Sequence, residues 1–153
     1  MWRNKARLKA FSRAELGRAM KVFIYGTLKR GFALHAKGLN GANYLGDVET
    51  IEAYPLYIAG SFYGPMMLDR PGEGLRVRGE LFEIAEDRLA TLDELEDVGE
   101  PGSFRTTVKV CAIGGGEPMS AIGFMKSEEW LDPVHSACLS DYQDRRFIPP
   151  WKR

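Results

Sequence analysis

Hydrophobic residues early in the chain form one continuous run, followed by a mixed segment. The run, residues 21–25, is rich in β-branched and aromatic side chains and is followed directly by Gly26. A short apolar run that ends at a glycine predicts a buried strand. Between Gly31 and Gly41, the mixed segment around His35 predicts a loop or a short helix.

The middle of the chain has the pattern of short strands separated by many turns. Residues 44–51 and 54–58 are strand-like, and residues 76–84 alternate between apolar and polar side chains. Frequent turn residues between these stretches favour a small curved sheet or barrel. Those turn residues are Pro55, Gly60, Gly64, Pro65, Pro71, Gly72 and Gly74.

A helix and a hairpin are predicted next. Residues 86–97 are rich in good helix formers, and Gly99 and Pro101 end the pattern. Residues 104–113 and 119–125 are strand-like and flank a run of glycines, which predicts a hairpin. Because strands and helices never alternate regularly, the pattern favours an α+β domain over a doubly wound sheet.

Length and composition allow one hydrophobic core. The chain has 153 residues, of which 44% are hydrophobic, and we expect a single domain over residues 20–153. Residues 1–19 differ, because they carry six arginines and lysines against one acid, Glu15. Such a composition occurs in organelle transit peptides and in solvated basic helices. The position of Met20 directly before the first strand favours an upstream basic extension that the fold does not require.

The charge and the cysteine content disfavour several partners. The 21 basic and 21 acidic residues balance to zero, so neither nucleic acid nor a membrane surface is an expected partner. Cys111 and Cys138 have no CxxC partner, and we expect two buried free thiols in a reducing compartment such as the cytoplasm. His35 and His135 lack partners at ligand spacing, so we expect no metal and no cofactor. The oligomeric state stays open.

Glu96 is the acid nearest to the apolar side of the predicted helix. On a helical wheel it lies about 40° from the centre of the stripe formed by the leucines at 89, 92 and 95. Asp93, Glu94 and Asp97 lie roughly 100° or more away. The negative end of the helix dipole and partial desolvation should raise the pKa of Glu96, which suits a proton carrier near neutral pH. Helix geometry alone also allows Glu96 to extend into water with no catalytic role.

The turn after the first strand is the second candidate element. A glycine at position 26 lets successive N–H groups point toward one place, where a carboxylate or an oxyanion could bind. Its spacing fits neither a P-loop nor a dinucleotide fingerprint. From the turn alone, an ordinary strand-to-loop connection, in which Gly26 only satisfies backbone geometry, is the commoner outcome.

Several short motifs follow one another between about Met20 and the C-terminus. They are Tyr25-Gly26-Thr27-Leu28-Lys29-Arg30-Gly31, Tyr54-Pro55-Leu56, Ile58-Ala59-Gly60, Gly79-Glu80, Leu92-Asp93-Glu94-Leu95-Glu96 and Arg105-Thr106. Together they resemble the γ-glutamylcyclotransferase-like family, which includes AIG2-like and BtrG-like proteins, and most of all its amine-specific members. The ordered set is a strong signal, whereas a single YGTL motif would be weak.

The resemblance implies a fold, an activity and site residues. The fold is a small mixed β-barrel of short strands with flanking helices. The activity is intramolecular cyclisation of a γ-glutamyl amide, such as ε-(γ-glutamyl)-lysine, which releases 5-oxoproline and a free amine. Glu96 would be the catalytic acid-base residue, and Tyr25, Gly26, Thr27 and Leu28 would bind the small-molecule γ-glutamyl substrate.

One departure from the family pattern affects the leaving group. Amine-specific relatives tend to have a tyrosine two residues before the arginine, whereas Ser103 and Phe104 precede Arg105 here. The contact from that phenol is therefore missing or replaced. Two rival interpretations are an enzyme with the same chemistry on γ-glutamyl peptides or a pathway intermediate, and a non-catalytic module that binds a γ-glutamyl or amino-acid ligand.

Overall fold

The computed structural model describes residues 19–153, so the predicted basic extension lies outside the described residues except for its last position. The strands and helices of this range follow in chain order. They are β1 Met20–Ile24, α1 His35–Leu39, β2 Asn43–Tyr54, β3 Leu56–Ala59, β4 Gly64–Met67, β5 Leu75–Ile84, α2 Glu86–Leu95, β6 Ser103–Ala112 and β7 Met119–Lys126. Two short 3-10 turns, Glu128–Trp130 and Pro150–Lys152, complete the set.

Five of the strands close into a barrel in the order β1-β5-β2-β6-β7. β1 pairs antiparallel with β5 and parallel with β7, and this parallel contact closes the barrel. β3 and β4 form a separate antiparallel pair. The predicted α+β class and small mixed barrel with flanking helices are confirmed.

Most of the predicted elements are present, with shifted ends. β1, the short helix around His35 and the β6–β7 hairpin lie where the pattern predicts them. α2 ends at Leu95, two residues before the predicted end. β4 is not predicted, because its composition, Gly-Pro-Met-Met, is typical of a turn. Proline is tolerated here because β3 and β4 form only a two-stranded sheet with free edges.

β2 is irregular in its pairing with β5, which helps the five strands to close into a barrel. Its pairing with β5 shifts register between Tyr44 and Gly46 and again between Glu49 and Ala53. Such bulges increase local twist and curvature. At the second bulge the Thr50 hydroxyl replaces a backbone acceptor and binds the Val77 N–H at 2.9 Å. Thr50 is fully buried there.

Two hydrophobic clusters lie on opposite faces of β1. Phe23 belongs to a cluster on the barrel-interior side with Val77, Leu81 and Val108. Val22 and Ile24 point to the other side. That second cluster packs the barrel against both helices through Leu34, Leu39, Leu89 and Leu92. Residues 22–24 of β1 are buried on both faces of the strand, which explains why these three positions are all apolar.

The two cysteines agree in part with the prediction of two buried free thiols. Cys111 and Cys138 are both free, but only Cys111 is buried; Cys138 is partly exposed. The prediction of two buried thiols is therefore wrong for Cys138, which lies in the irregular segment after the last barrel strand.

Within residues 19–153, no helix is long and apolar enough to cross a bilayer.

Candidate active site

A cavity of about 720 Å³ lies between the loop after β1, the β3–β4 hairpin, the end of α2 and the C-terminal segment. This volume falls in the range that accommodates small-molecule ligands. Residues from distant parts of the chain form its wall. Among them are Thr27, Gly60, Phe62, Pro65, Glu94, Leu95, Glu96, Asp97, Lys126, Glu129, Trp130, Asp132, Phe147 and Arg153.

Glu96 reaches this cavity because of how α2 ends. Its N–H still donates to Leu92 O in the helical pattern, at 2.9 Å. The next residue, Asp97, has a φ of 60°, in the left-handed region. Val98 N then donates to Asp93 O at 2.9 Å, which is the 6→1 bond of a Schellman motif. The helix ends at Leu95, Glu96 is its C-terminal cap, and the chain then turns away, so the half-buried Glu96 lines the cavity wall.

The surroundings of Glu96 favour its protonated form. Burial raises the pKa of the Glu96 carboxyl, the nearby Lys126 ammonium opposes that rise, and the Asp97 carboxylate adds to it. A raised pKa brings the carboxyl closer to the pH at which it can both accept and donate a proton. The direction agrees with the sequence expectation, but burial is the main cause.

The four residues of the predicted binding loop have different positions. Thr27 lines the cavity, and its side chain is 5% exposed. Leu28 is buried in the cluster between the barrel and the helices. Tyr25 is buried in the barrel-interior cluster, and its hydroxyl donates to Phe124 O at 2.6 Å. Gly26 packs against Pro65.

The loop has backbone donors available near the cavity. Lys29 N donates to Gly26 O and Arg30 N donates to the Glu80 carboxylate, both at 2.9 Å. Among residues 19–153, the N–H groups of Thr27 and Leu28 have no hydrogen-bond acceptor. Unpaired N–H groups beside a cavity can bind a carboxylate or an oxyanion.

Lys126, on β7, was not among the predicted site residues. Its ammonium donates to the main-chain O of Glu96 and to Ser103 Oγ, the latter at 2.7 Å. The side chain is 6% exposed, and its Nζ lies 4.7 Å from the centroid of the Trp130 ring. Burial lowers the pKa of Lys126, while Glu96 and Asp97 oppose that effect. A lone lysine at a strand end carries no periodic signal, so sequence patterns could not select it.

Two acids also lie at the cavity although the helical wheel places them elsewhere. Glu94 and Asp97 are exposed and line the same cavity as Glu96. The wheel fails for Asp97 because the helix has already ended. Asp93 behaves as the wheel predicts and contacts Arg105 instead, with Nε 2.7 Å from Oδ1 in a geometry that is poorly aligned for a hydrogen bond.

The two histidines bind backbone carbonyls. His35 Nδ1 lies 2.9 Å from Leu28 O, and His135 Nε2 lies 2.9 Å from Gly60 O. His135 also stacks on Tyr63 with 4.1 Å between ring centroids. In the described part of the chain, no group of three or more histidine, cysteine or acidic side chains could hold a metal ion.

Comparison with known proteins identifies the family. A sequence model described as γ-glutamyl cyclotransferase, AIG2-like, matches residues 22–144, most of the chain. The chain belongs to the γ-glutamyl cyclotransferase, AIG2-like family.

Relatives within this family support the assignment over most of the chain. Bovine γ-glutamylaminecyclotransferase is 37% identical over 134 residues, which cover 84% of this chain and 79% of the relative. Human γ-glutamylaminecyclotransferase is 40% identical over 91 residues, 57% of this chain and 58% of its own. A crystal structure of a mouse AIG2-like protein superposes with a TM-score of 0.72 at 31% identity and covers 89% of this chain and 99% of the mouse chain. The chain is therefore a cyclotransferase enzyme of this family.

Proposed function

We propose that this γ-glutamyl cyclotransferase acts on γ-glutamylamines and converts them into 5-oxoproline and a free amine. The observation that supports the proposal most is the shared cavity. The carboxylate of Glu96, at the end of α2, and the loop residue Thr27, after β1, line the same cavity of about 720 Å³. We therefore propose that an acid-base group and a loop with free backbone N–H groups act on the same substrate molecule.

In the proposed reaction, the substrate supplies its own nucleophile. Glu96, as a carboxylate, takes a proton from the α-ammonium group of the γ-glutamyl unit. The freed amine attacks the side-chain carbonyl carbon and closes a five-membered ring. As the bond between that carbon and the departing nitrogen breaks, protonated Glu96 gives a proton to the nitrogen. The ring nitrogen releases its extra proton to the same carboxylate. The departing amine then takes this proton from Glu96 and leaves as an ammonium ion, which restores the Glu96 carboxylate.

The loop after β1 is proposed to hold the negative oxygen atoms of the substrate. The free N–H groups of Thr27 and Leu28 could bind either the α-carboxylate or the oxygen of the tetrahedral adduct. The cavity would keep the flexible glutamyl chain in the curled conformation that places amine and carbonyl together. The side chains of Tyr25 and Leu28 are buried in the hydrophobic clusters and support this loop. We do not expect these two side chains to contact the substrate.

Charge around the cavity favours an amine over an acidic peptide as the leaving group. Acidic side chains outnumber basic ones in the wall: Glu94, Glu96, Asp97, Glu129 and Asp132 against Lys126 and Arg153. A leaving group with a carboxylate and no compensating ammonium, as in glutathione, would be repelled. In bound ε-(γ-glutamyl)-lysine the lysyl part carries one ammonium and one carboxylate and has no net charge, and the free ammonium of a bound γ-glutamyl diamine would be attracted.

A substrate panel tests the proposal. The wild-type protein would be incubated with ε-(γ-glutamyl)-lysine, a γ-glutamyl diamine, a γ-glutamyl dipeptide and glutathione, with 5-oxoproline and the released amine measured together. We expect equal amounts of both products from the two amine substrates and much less from glutathione. Preferential turnover of the dipeptide or glutathione would favour the peptide-specific alternative. Calorimetric binding without product would indicate a binding module instead.

Two further proposals concern the domain boundary and the cellular location. We propose that residues 20–153 form one domain with residues 1–19 as a dispensable extension; expression from Met20 should give a protein of unchanged activity and stability. We also propose a cytoplasmic location, because Cys111 and Cys138 are both free. Fractionation of the native host cell would test it.

A further inference from the structure

We propose that Lys126 is a positioning residue for Glu96: with Ser103, its ammonium fixes the last carbonyl of α2 and keeps a positive charge beside the Glu96 carboxyl. The inference rests on the proposed function, because it assigns Lys126 a part in the same proton transfers. It differs from that function in naming a residue that does not exchange protons with substrate.

Three side-chain and main-chain groups form a closed hydrogen-bonded set. Ser103 and Lys126 are direct partners across the β6–β7 hairpin. The Lys126 ammonium donates to Ser103 Oγ at 2.7 Å and to Glu96 O. Ser103 Oγ donates to the same Glu96 carbonyl at 2.9 Å. A single carbonyl therefore receives two donors from two strands.

These hydrogen bonds satisfy a carbonyl group at the C-terminal end of α2. The last carbonyls of a helix lack partners within the helix and require other donors when they are not solvated. The Schellman bonds from Asp97 N and Val98 N satisfy Glu94 O and Asp93 O, and they leave the Glu96 carbonyl to Ser103 and Lys126. The main chain that carries the Glu96 side chain is thereby fixed to the barrel.

The charge of Lys126 has a second consequence. A buried ammonium is costly unless an opposite charge or strong hydrogen bonds compensate it. Its two oxygen acceptors and the face of the Trp130 ring provide that compensation. When it is protonated, the Lys126 side chain favours the carboxylate form of Glu96, the form that must accept the first proton.

Other charged groups act on Glu96 from neighbouring elements, and they define the controls. Asp97 follows it in the chain and opposes Lys126. Tyr25, directly after β1, interacts electrostatically with Glu96 and is itself buried and neutral, since burial and Glu96 both raise the pKa of its hydroxyl. Further charged residues in the cavity wall are Glu94, Glu129, Asp132 and Arg153.

The first test measures Glu96 directly and needs no turnover. The ¹³C chemical shift of the Glu96 side-chain carboxyl, assigned by comparison with Glu96→Gln, is followed against pH in wild type, Lys126→Met, Lys126→Gln and Lys126→Arg. We expect the titration midpoint to move to higher pH in the Met and Gln variants and to stay near wild type in the Arg variant. Gln can still donate to the Glu96 carbonyl, so it separates lost charge from lost hydrogen bonding and provides a second neutral variant if Met does not fold.

The second test compares the acid limb of the pH profile of kcat/KM for a γ-glutamylamine. In the neutral variants that limb should move with the midpoint, and activity below the limb should fall about tenfold for each pH unit that it moves. Lys109→Met, which removes an exposed lysine of β6, serves as the matched control and should leave both readouts unchanged.

The outcomes separate the two proposals. An unchanged or lowered Glu96 midpoint in a folded neutral variant would overturn the role of Lys126, even if the enzyme were active. Absence of turnover in wild type, with the midpoint shifted as expected, would overturn the proposed function and leave the electrostatic role of Lys126 intact.

Discussion

Gly26 packs directly against Pro65, so the loop after β1 is held against the β3–β4 hairpin. A Cβ atom added to Gly26 would come within 2.5 Å of Pro65 Cγ, closer than two carbon atoms can approach without movement. The φ of Gly26 is not in the left-handed region, so the close approach, rather than backbone freedom, requires a glycine at this position. The hairpin thereby sets where the neighbouring Thr27 lies in the cavity wall.

Gly26→Ala should therefore affect both stability and substrate binding. Overpacking of this kind costs about 1–3 kcal/mol of unfolding free energy. We also expect a higher KM, because Thr27 and its free N–H group move with the loop. Chemical denaturation and steady-state kinetics measure the two effects.

A double-mutant cycle gives the control for this interpretation. Pro65→Ala removes the atom that the new Cβ would meet, so Gly26→Ala with Pro65→Ala should be more stable than the sum of the single changes predicts. Strictly additive effects of the two substitutions would show that the contact is not the cause.

The pH dependence of stability should reveal the buried carboxyl of Glu96. Burial raises its pKa in the folded state, so folding favours the protonated form. The stability that protonation supplies is complete below the usual pKa of glutamate and is lost as the pH rises through the raised pKa of the folded protein. Glu96→Gln is neutral throughout, so its unfolding free energy relative to wild type should increase across that window. Denaturant titrations at successive pH values measure the difference; a difference that stays flat or falls would contradict the assigned direction.

Asp97→Asn should move the pH profile in the direction opposite to the neutral Lys126 variants. The Asp97 carboxylate raises the pKa of Glu96, so its removal lowers that pKa and moves the acid limb of kcat/KM to lower pH. Asparagine tolerates the left-handed φ of 60° at this position, so the helix end should be preserved. Activity on the plateau should change little. A limb that moves upward, with circular dichroism unchanged, would refute the electrostatic assignment.

Salt should weaken the preference for positively charged leaving groups. The carboxylates of Glu129 and Asp132 line the cavity and are exposed, and exposed charges of this kind are screened by salt. We expect kcat/KM for a γ-glutamyl diamine to fall about two- to fivefold from low to high ionic strength, a change typical of surface charge interactions. An uncharged γ-glutamyl alkylamide should change less. Equal salt sensitivity of the two substrates would argue against charge selection.

The sequence pattern predicted several features of the fold correctly. The apolar run of β1 is buried on both faces, a helix is present over most of the predicted range, and three glycines lie between β6 and β7. Each of these features depends on residues that are close in the sequence.

The remaining features depend on contacts between distant residues. The parallel pairing of β1 with β7 joins Val22 to Ile122, which no local pattern reports. The C-terminal segment contributes Phe147 and Arg153 to the cavity although its sequence has no periodicity; Ile148 N fixes it by donating to Phe62 O at 3.0 Å. The site is therefore completed by side chains whose positions follow only from the folded structure.

The most direct test of the proposed chemistry is the activity of Glu96→Gln on ε-(γ-glutamyl)-lysine, measured as 5-oxoproline formed at neutral pH. Asp87→Asn removes an exposed carboxylate from the opposite end of the same helix and serves as the matched control. We predict that Glu96→Gln folds normally and loses on the order of 10²- to 10⁴-fold in kcat, as expected when a positioned acid-base group is removed, while Asp87→Asn keeps wild-type activity. A folded Glu96→Gln protein with a kcat close to that of wild type would contradict the central claim.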